Sequence, residues 1–245
     1  WNYMKIHNMP EAKPKFRRQL ELAWSPNPIT GSAALFLWGA RQTGKTTFLH
    51  ENYPSARFYD LLDTSLTAEL SLRPGLLREQ VLGEVPEIVI VDEVQKIPDL
   101  LEEVHWLLEN TATRFILCGS SARKLRRQSR NLLGGRVVDF HMFPLTTHEV
   151  GSLDLPRALR HGLLPAHYLA DDPSGLLRAY VNNYIKAEII DESATRNIPA
   201  FARFMRVVGL SHGGQINYTG IARECGVSAS TVHNYFQILE DTLLG

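Results

Sequence analysis

Eight consecutive residues, Gly39-Ala40-Arg41-Gln42-Thr43-Gly44-Lys45-Thr46, carry the spacing G-x-x-x-x-G-K-[ST]. That spacing suits the capture of phosphate. A loop of this length between a strand and a helix can curl so that successive backbone N–H groups point inward at anionic oxygens. Gly39 and Gly44 permit unusual dihedrals and leave room for the phosphates. The helix that follows adds unpaired N–H donors and the positive end of its dipole. Lys45 can reach β- and γ-phosphates as a point charge, and the Thr46 hydroxyl can ligate Mg²⁺. With Thr47, these residues form the candidate nucleotide-binding set.

A second constellation lies at IVIVDEVQ, residues 88–95. An apolar strand delivers two adjacent carboxylates to its end. Asp92 is placed to hold Mg²⁺, and Glu93 to polarise a water aimed at a γ-phosphate. An Asp-Glu pair is typical of ATPases with an added central strand and a catalytic glutamate. The chain has no N-K-x-D guanine-reading motif, so ATP is favoured over GTP. In FILCGSSARKLRR, Ser120 follows a strand and Gly119. Its hydroxyl suits a γ-phosphate sensor that orients the water, and suits ordinary turn chemistry equally.

Arg123, Lys124, Arg126, Arg127, Arg130 and Arg136 follow, with no acid before Asp139. Three readings stand. Arg123 or Arg136 could serve as an arginine finger, in its own chain or for a neighbouring copy in a homo-oligomer, a contribution worth about 10³–10⁵ in rate. The cluster could bind a nucleic-acid backbone. It could also be a solvated helix face.

Elements that would position these groups follow from hydrophobic pattern. Strands are expected at Ala33–Trp38, Ala56–Leu62, Ile88–Val91, Arg114–Cys118 and Val137–Met142. The continuous run IVIV reads as a strand buried on both faces. Helices are expected at Thr46–Asn52, Gly75–Leu82 and Leu100–Asn110, the last with Leu101, Val104, Leu107 and Leu108 on one face. Alternation of this kind predicts an α/β fold: a P-loop NTPase parallel sheet with helices on both faces. Before it, residues 1–32 read as a helix, FRRQLELAW, and a proline-rich loop.

No convincing strand follows Leu145. The expected organisation is residues 1–32 as the N-terminal helix and loop, 33–150 as the ATPase core, 151–210 as a helical region, and 211–245 as a winged-helix-like helix-turn-helix. In the last, Thr219 is expected to cap a helix through Cys225, with Gly226 at the turn. Ser228 would cap a second helix that turns Val232, Tyr235, Phe236 and Leu239 inward. Such modules commonly read DNA. This second helix carries no Lys or Arg, so a packing module is the other reading; Ser230, Thr231, His233 and Asn234 could still reach base edges.

Bulk composition narrows the class. The 245 residues are 44% hydrophobic and 21% charged, with formal net charge zero. That is ordinary for a globular chain and by itself points to no nucleic-acid or membrane partner. Two distant cysteines, Cys118 and Cys225, suit a reducing cytoplasm and make no zinc spacing. No apolar run reaches 18 residues, so no membrane span is expected. The closing LEDTLLG has no helix stop or polar tail, and further chain beyond Gly245 is expected.

Together, GARQTGKTTFL, VIVDEVQKIPDLLEEVHWLLE, FILCGSSARKLRRQSRNLLGGRV and FPLTTHE resemble the successive blocks of the prokaryotic AAA-like ATPases related to the STAND signalling NTPases. LRHGLLP, AYVNNYIKAEI and the helix-turn-helix fall in that family's order. The resemblance implies nucleotide roles for Lys45, Thr46, Asp92, Glu93 and Ser120, and a place near adenine for Gly162 to Pro165, though HGLLP lacks the usual double glycine. It implies a winged helix, commonly followed by a domain resembling restriction endonucleases, which would begin where this sequence ends. Its functional consequence is Mg²⁺-dependent ATP binding and hydrolysis as a switch. The alternative is a DNA-binding regulator in which ATP is only a ligand.

Overall fold

A computed structural model describes residues 16–29, 31–120, 137–184 and 197–243. Five strands form one sheet: β1 (Ala33–Trp38), β2 (Arg57–Asp60), β3 (Ile88–Asp92), β4 (Arg114–Gly119) and β5 (Val137–His141). Their spatial order is β2-β3-β4-β1-β5 and every neighbouring pair is parallel. β4 therefore lies between the strand leading into the phosphate loop and the strand bearing the two carboxylates. Parallel strands share one C-terminal edge, where α/β sheets bind ligands.

Apolar side chains leave both faces of the inner strands, which explains their unbroken hydrophobic runs. On one face Phe36, Trp38, Val89, Val91, Phe115 and Leu117 pack against α2 (Thr64–Leu72), α3 (Gly75–Glu84) and α4 (Leu100–Asn110). On the other, Leu35, Leu37, Ile90, Ile116 and Cys118 meet Phe48 and Leu49 of α1 (Lys45–Asn52). α2 has no strong apolar stripe and buries only Leu70, which is why hydrophobic periodicity misses it. Asp63 caps it, accepting from the amides of Ser65 and Leu66.

The N-terminal segment departs from expectation. Phe16–Trp24 is not helical but extended, and alternate residues turn inward: Phe16, Arg18, Leu20, Leu22 and Trp24 are half-buried while the residues between are exposed. Leu20, Leu22 and Trp24 pack onto the α1 face of the sheet. FRRQLELAW has apolar residues at a period of two as well as near helical spacing, and tertiary packing selects the first.

After β5 the described residues contain helices and no strand. These are Thr147–Val150, Leu155–His161, Pro165–Leu169, Ser174–Ala179 running into a π-helical turn at Tyr180–Tyr184, Ile198–Leu210, Tyr218–Cys225 and Ala229–Asp241. The last three share a core in which Phe201 and Phe204 surround Tyr235, with ring centroids 4.9 and 5.2 Å from it. Asn217, not Thr219, caps Tyr218–Cys225; its side chain accepts from the Gly220 amide, and Thr219 lies inside the helix. Gly226 takes the left-handed conformation at φ 67°. Ser228 caps the final helix, which buries Val232, Tyr235 and Leu239 and half-buries Phe236.

Candidate functional site

The phosphate loop runs from the end of β1 to the start of α1. Its first peptide is tied to β4, Gly39 N–H donating to Gly119 O at 3.3 Å. A Cβ at Gly39 would stand 2.6 Å from Met142 O, so no larger residue fits. Gln42 and Gly44 have φ of 63° and 93°, the curl that turns amides toward the loop's interior. Space in front of Gly44 is open. No side chain caps α1, so its first-turn amides remain available to an anion. Arg41, Gln42, Gly44, Lys45, Thr46, Thr47, Leu62 and Glu93 line a cleft of about 320 Å³.

Lys45 is buried, its Nζ donating to Gly39 O at 2.6 Å and Ala40 O at 3.1 Å. Thr43 is fully buried and its Oγ1 donates to Ala40 O at 2.8 Å. Thr46 Oγ1 donates to Asp92 Oδ2 at 2.5 Å, closing α1 onto the end of β3. Asp92 Oδ1 accepts from the Glu93 amide at 3.0 Å. These hydroxyl and carboxylate oxygens are the hard donors that Mg²⁺ takes, and a pair of protein ligands completed by phosphate and water is its usual arrangement. The donor set, the open space at Gly44 and the uncapped helix start fit a Mg²⁺-nucleotide.

Glu93 is a left-handed non-glycine residue, φ 57° and ψ 41°, a conformation costing of order 1–3 kcal/mol. The turn re-aims its carboxylate from the strand end into the cleft. Glu93 Oε2 accepts from Gln95 Nε2 in a short hydrogen bond and from Ser120 Oγ at 3.2 Å, while Gln95 Nε2 also reaches Ser120 Oγ at 3.2 Å. Ser120 thus lies against the glutamate, as adjacency of β3 and β4 allows. Gln95 is the member of this cluster that the sequence did not reveal. Its one signal was its place in VDEVQ, a turn after the carboxylates, which has no chemical meaning until the 3₁₀ turn Val94–Lys96 folds it back. Gln95 also explains Gly119, where a Cβ would stand 2.6 Å from Gln95 Oε1.

Cys118 of β4 is buried beside Asp92. Burial first, then the charge of Asp92, pushes its thiol well above the ordinary value, against the opposing pull of Lys45. It is a neutral packing group. Arg123 and Arg136 lie outside the described residues. Gly162, at φ 71°, ends the helix Leu155–His161, and Pro165 starts the next.

Residues 31–151 match the family described as AAA domain. They are an AAA-like P-loop ATPase domain. Residues 152–245 match a domain of unknown function, so the AAA domain is the part whose class speaks of chemistry, namely nucleotide binding and hydrolysis in general. No curated protein matches the chain. Among solved structures, it is similar at 13% identity to the Orc1 protein of Aeropyrum pernix in complex with DNA, over 86% of this chain and 78% of that one, TM-score 0.41. It is also similar, at 14% identity, to a STAND signal-transduction ATPase with a tetratricopeptide repeat sensor from Pyrococcus horikoshii. That match covers 84% of this chain and 36% of the other, with a TM-score of 0.32. Among the described residues no helix is long and apolar enough to cross a membrane, and no group of three or more His, Cys, Asp or Glu could hold a metal.

Proposed function

We propose that the AAA domain binds ATP with Mg²⁺ and hydrolyses it, and that nucleotide state switches the arrangement of the domain and the helices after it. The contact between Thr46 Oγ1 and Asp92 Oδ2 carries this reading, because it brings the phosphate loop and the acidic strand end to one point beside Glu93. Gly39 to Thr47 cradle the phosphates through backbone amides. Lys45 leaves the Gly39 and Ala40 carbonyls for β- and γ-phosphate oxygens. Thr46 and Asp92 hold Mg²⁺, directly or through water; bound there, the ion neutralises charge on the phosphates. Glu93 accepts a proton from the attacking water, and Ser120 and Gln95 orient its carboxylate. Gln95 Oε1, buried and without a hydrogen-bond partner among the described residues, can accept from that water. Arg123 or Arg136 supplies the remaining positive charge, from its own chain or from a neighbouring copy.

ATP turnover and equilibrium binding test the assignment together. Wild type should release phosphate in Mg²⁺. Glu93→Gln should keep ATP affinity and lose about 10²–10⁴ in kcat, the range of a general base. Lys45→Ala should lose binding itself. If wild type neither binds nor hydrolyses ATP at millimolar Mg²⁺, the reading fails, and a reversed order of the two variants overturns the roles.

A second reading, a DNA-binding regulator with ATP as ligand, is favoured by the helix Ala229–Asp241, which leaves Ser230, His233, Asn234 and Gln237 exposed on one polar side. Salt-dependent binding of duplex DNA, unaffected by Glu93→Gln, would select this reading; no binding at low salt removes it.

A further inference from the structure

Arg18 belongs to no motif, yet it touches the phosphate loop. Its guanidinium donates from all three nitrogens: Nε to Glu149 Oε1 at 2.9 Å, Nη1 to Thr43 O at 2.7 Å and Nη2 to Phe143 O at 2.6 Å. The Arg18 side chain is 10% exposed and that of Glu149 4%. Glu149 is itself fixed, accepting from the amides of Gln19 and Thr146, each at 2.9 Å. The guanidinium is therefore held in one plane and one direction.

Thr43 O belongs to the peptide that joins Thr43 to Gly44. In a planar trans peptide the C=O and N–H point opposite ways. Drawing the carbonyl outward onto Arg18 therefore turns the Gly44 N–H away from Arg18, and Gly44 lines the cleft. Thr43 on one side is fixed by burial and by its bonds to Ala40 O, while the Gly44 side of the peptide is freer. Gly44 has no side chain, sits at φ 93°, and a Cβ there would meet nothing within 4 Å, so its dihedrals are nearly unrestrained by packing. A flipped peptide would present a carbonyl, partly negative, to an anion. Arg18 also polarises the peptide it holds, which strengthens the N–H as a donor.

We propose that Arg18 is a positioning residue of the phosphate cradle: from outside the loop it fixes the Thr43–Gly44 peptide so that the Gly44 N–H faces the bound polyphosphate. This rests on the reading of the cleft as a nucleotide site. The extended N-terminal segment is then a functional part of that site and not only a cover for α1. Lysine cannot replace the arginine fully, because a single ammonium lacks the rigid planar fork that reaches three separate acceptors.

The test is equilibrium binding of Mg-ATP and Mg-ADP to the full chain, as wild type, Arg18→Ala, Arg18→Lys and Leu22→Ala. Leu22→Ala loosens the packing of the same segment without touching the loop. Arg18→Ala should weaken both nucleotides by about ten- to a hundred-fold, the scale of one charge-reinforced hydrogen bond. Arg18→Lys should recover thermal stability but only part of the affinity, and Leu22→Ala should lower stability with affinity within about two-fold of wild type. In ¹⁵N spectra at saturating ADP the Gly44 amide should shift strongly in wild type and less in Arg18→Lys, a readout that holds even if Arg18→Ala fails to fold. Unchanged affinity in both Arg18 variants overturns the proposal. So does an equal loss in Leu22→Ala, which would make Arg18 a brace of the fold. A wild type that binds neither nucleotide is a different result: it removes the nucleotide site itself.

Discussion

Glu93 and Gln95 show how a side chain's role depends on what constrains it. Glu93 is driven into the left-handed region, and its carboxylate is shared between Gln95 and Ser120. In the role proposed for it, Glu93 would be aimed before substrate arrives, the preorganisation from which general-base efficiency comes. Removing the amide frees the carboxylate without touching the phosphate loop. Gln95→Ala should therefore lower kcat about ten-fold while ATP affinity stays within about two-fold, the split expected of a group that acts on the transition state alone. Single-turnover hydrolysis beside equilibrium binding checks it; equal losses in both would place Gln95 in binding.

At the scale of elements, the site depends on how closely backbones approach at the C-terminal edge of the sheet. Met142 N–H donates to Trp38 O at 2.7 Å, which sets Met142 O over Gly39. Gly39→Ala would drive its Cβ to 2.6 Å from that backbone oxygen, which cannot swing aside. It should lower stability by about 1–3 kcal/mol, as overpacking does, and disturb nucleotide binding with it. At Gly119 the nearest obstacle is instead the end of the Gln95 side chain, also at 2.6 Å, with Trp38 Cζ3 at 3.0 Å. Gly119→Ala should displace that amide and resemble Gln95→Ala in rate while losing less stability than Gly39→Ala. Denaturant unfolding and turnover on the two variants separate the cases.

Over the whole molecule, Glu149 joins segments far apart in sequence. Burial raises its pKa, but the amides of Thr146 and Gln19 and the cation of Arg18 outweigh burial and hold it below the ordinary 4.5. A depressed folded value means that Glu149 contributes its stability in full above the unfolded value, and loses it as pH falls through the folded one. Thermal melts between about pH 6 and pH 3 should show wild type losing Tm below pH 4.5 faster than Glu149→Gln, whose neutral amide does not titrate. Parallel curves would show that Glu149 does not couple to folding. The same residue caps the helix Thr147–Val150 through a capping box with Thr146, so the acid-labile link lies where the sheet passes into the helical region.

Much of the fold and the core of the site were legible in the chain itself. β1 and α4 have the bounds their hydrophobic patterns predict, and the loop at residues 39–46 and the carboxylates at 92–93, singled out by type and spacing, meet through Thr46 and Asp92. Local signals of this kind survive because a doubly buried strand must be apolar throughout and a phosphate loop must place glycine where amides converge. What folding alone decided are the contacts between residues remote in sequence. The N-terminal segment reads as a helix until the α1 face of the sheet selects its period of two. Ser120 against Glu93 and Arg18 behind Thr43 likewise depend on strand order and packing that no window of sequence contains, whereas the Asn217 cap and Gln95 against Glu93 are local contacts whose backbone turns the residue types leave open. Arg18 and Glu149 stand 131 positions apart, and only the packed chain makes them neighbours.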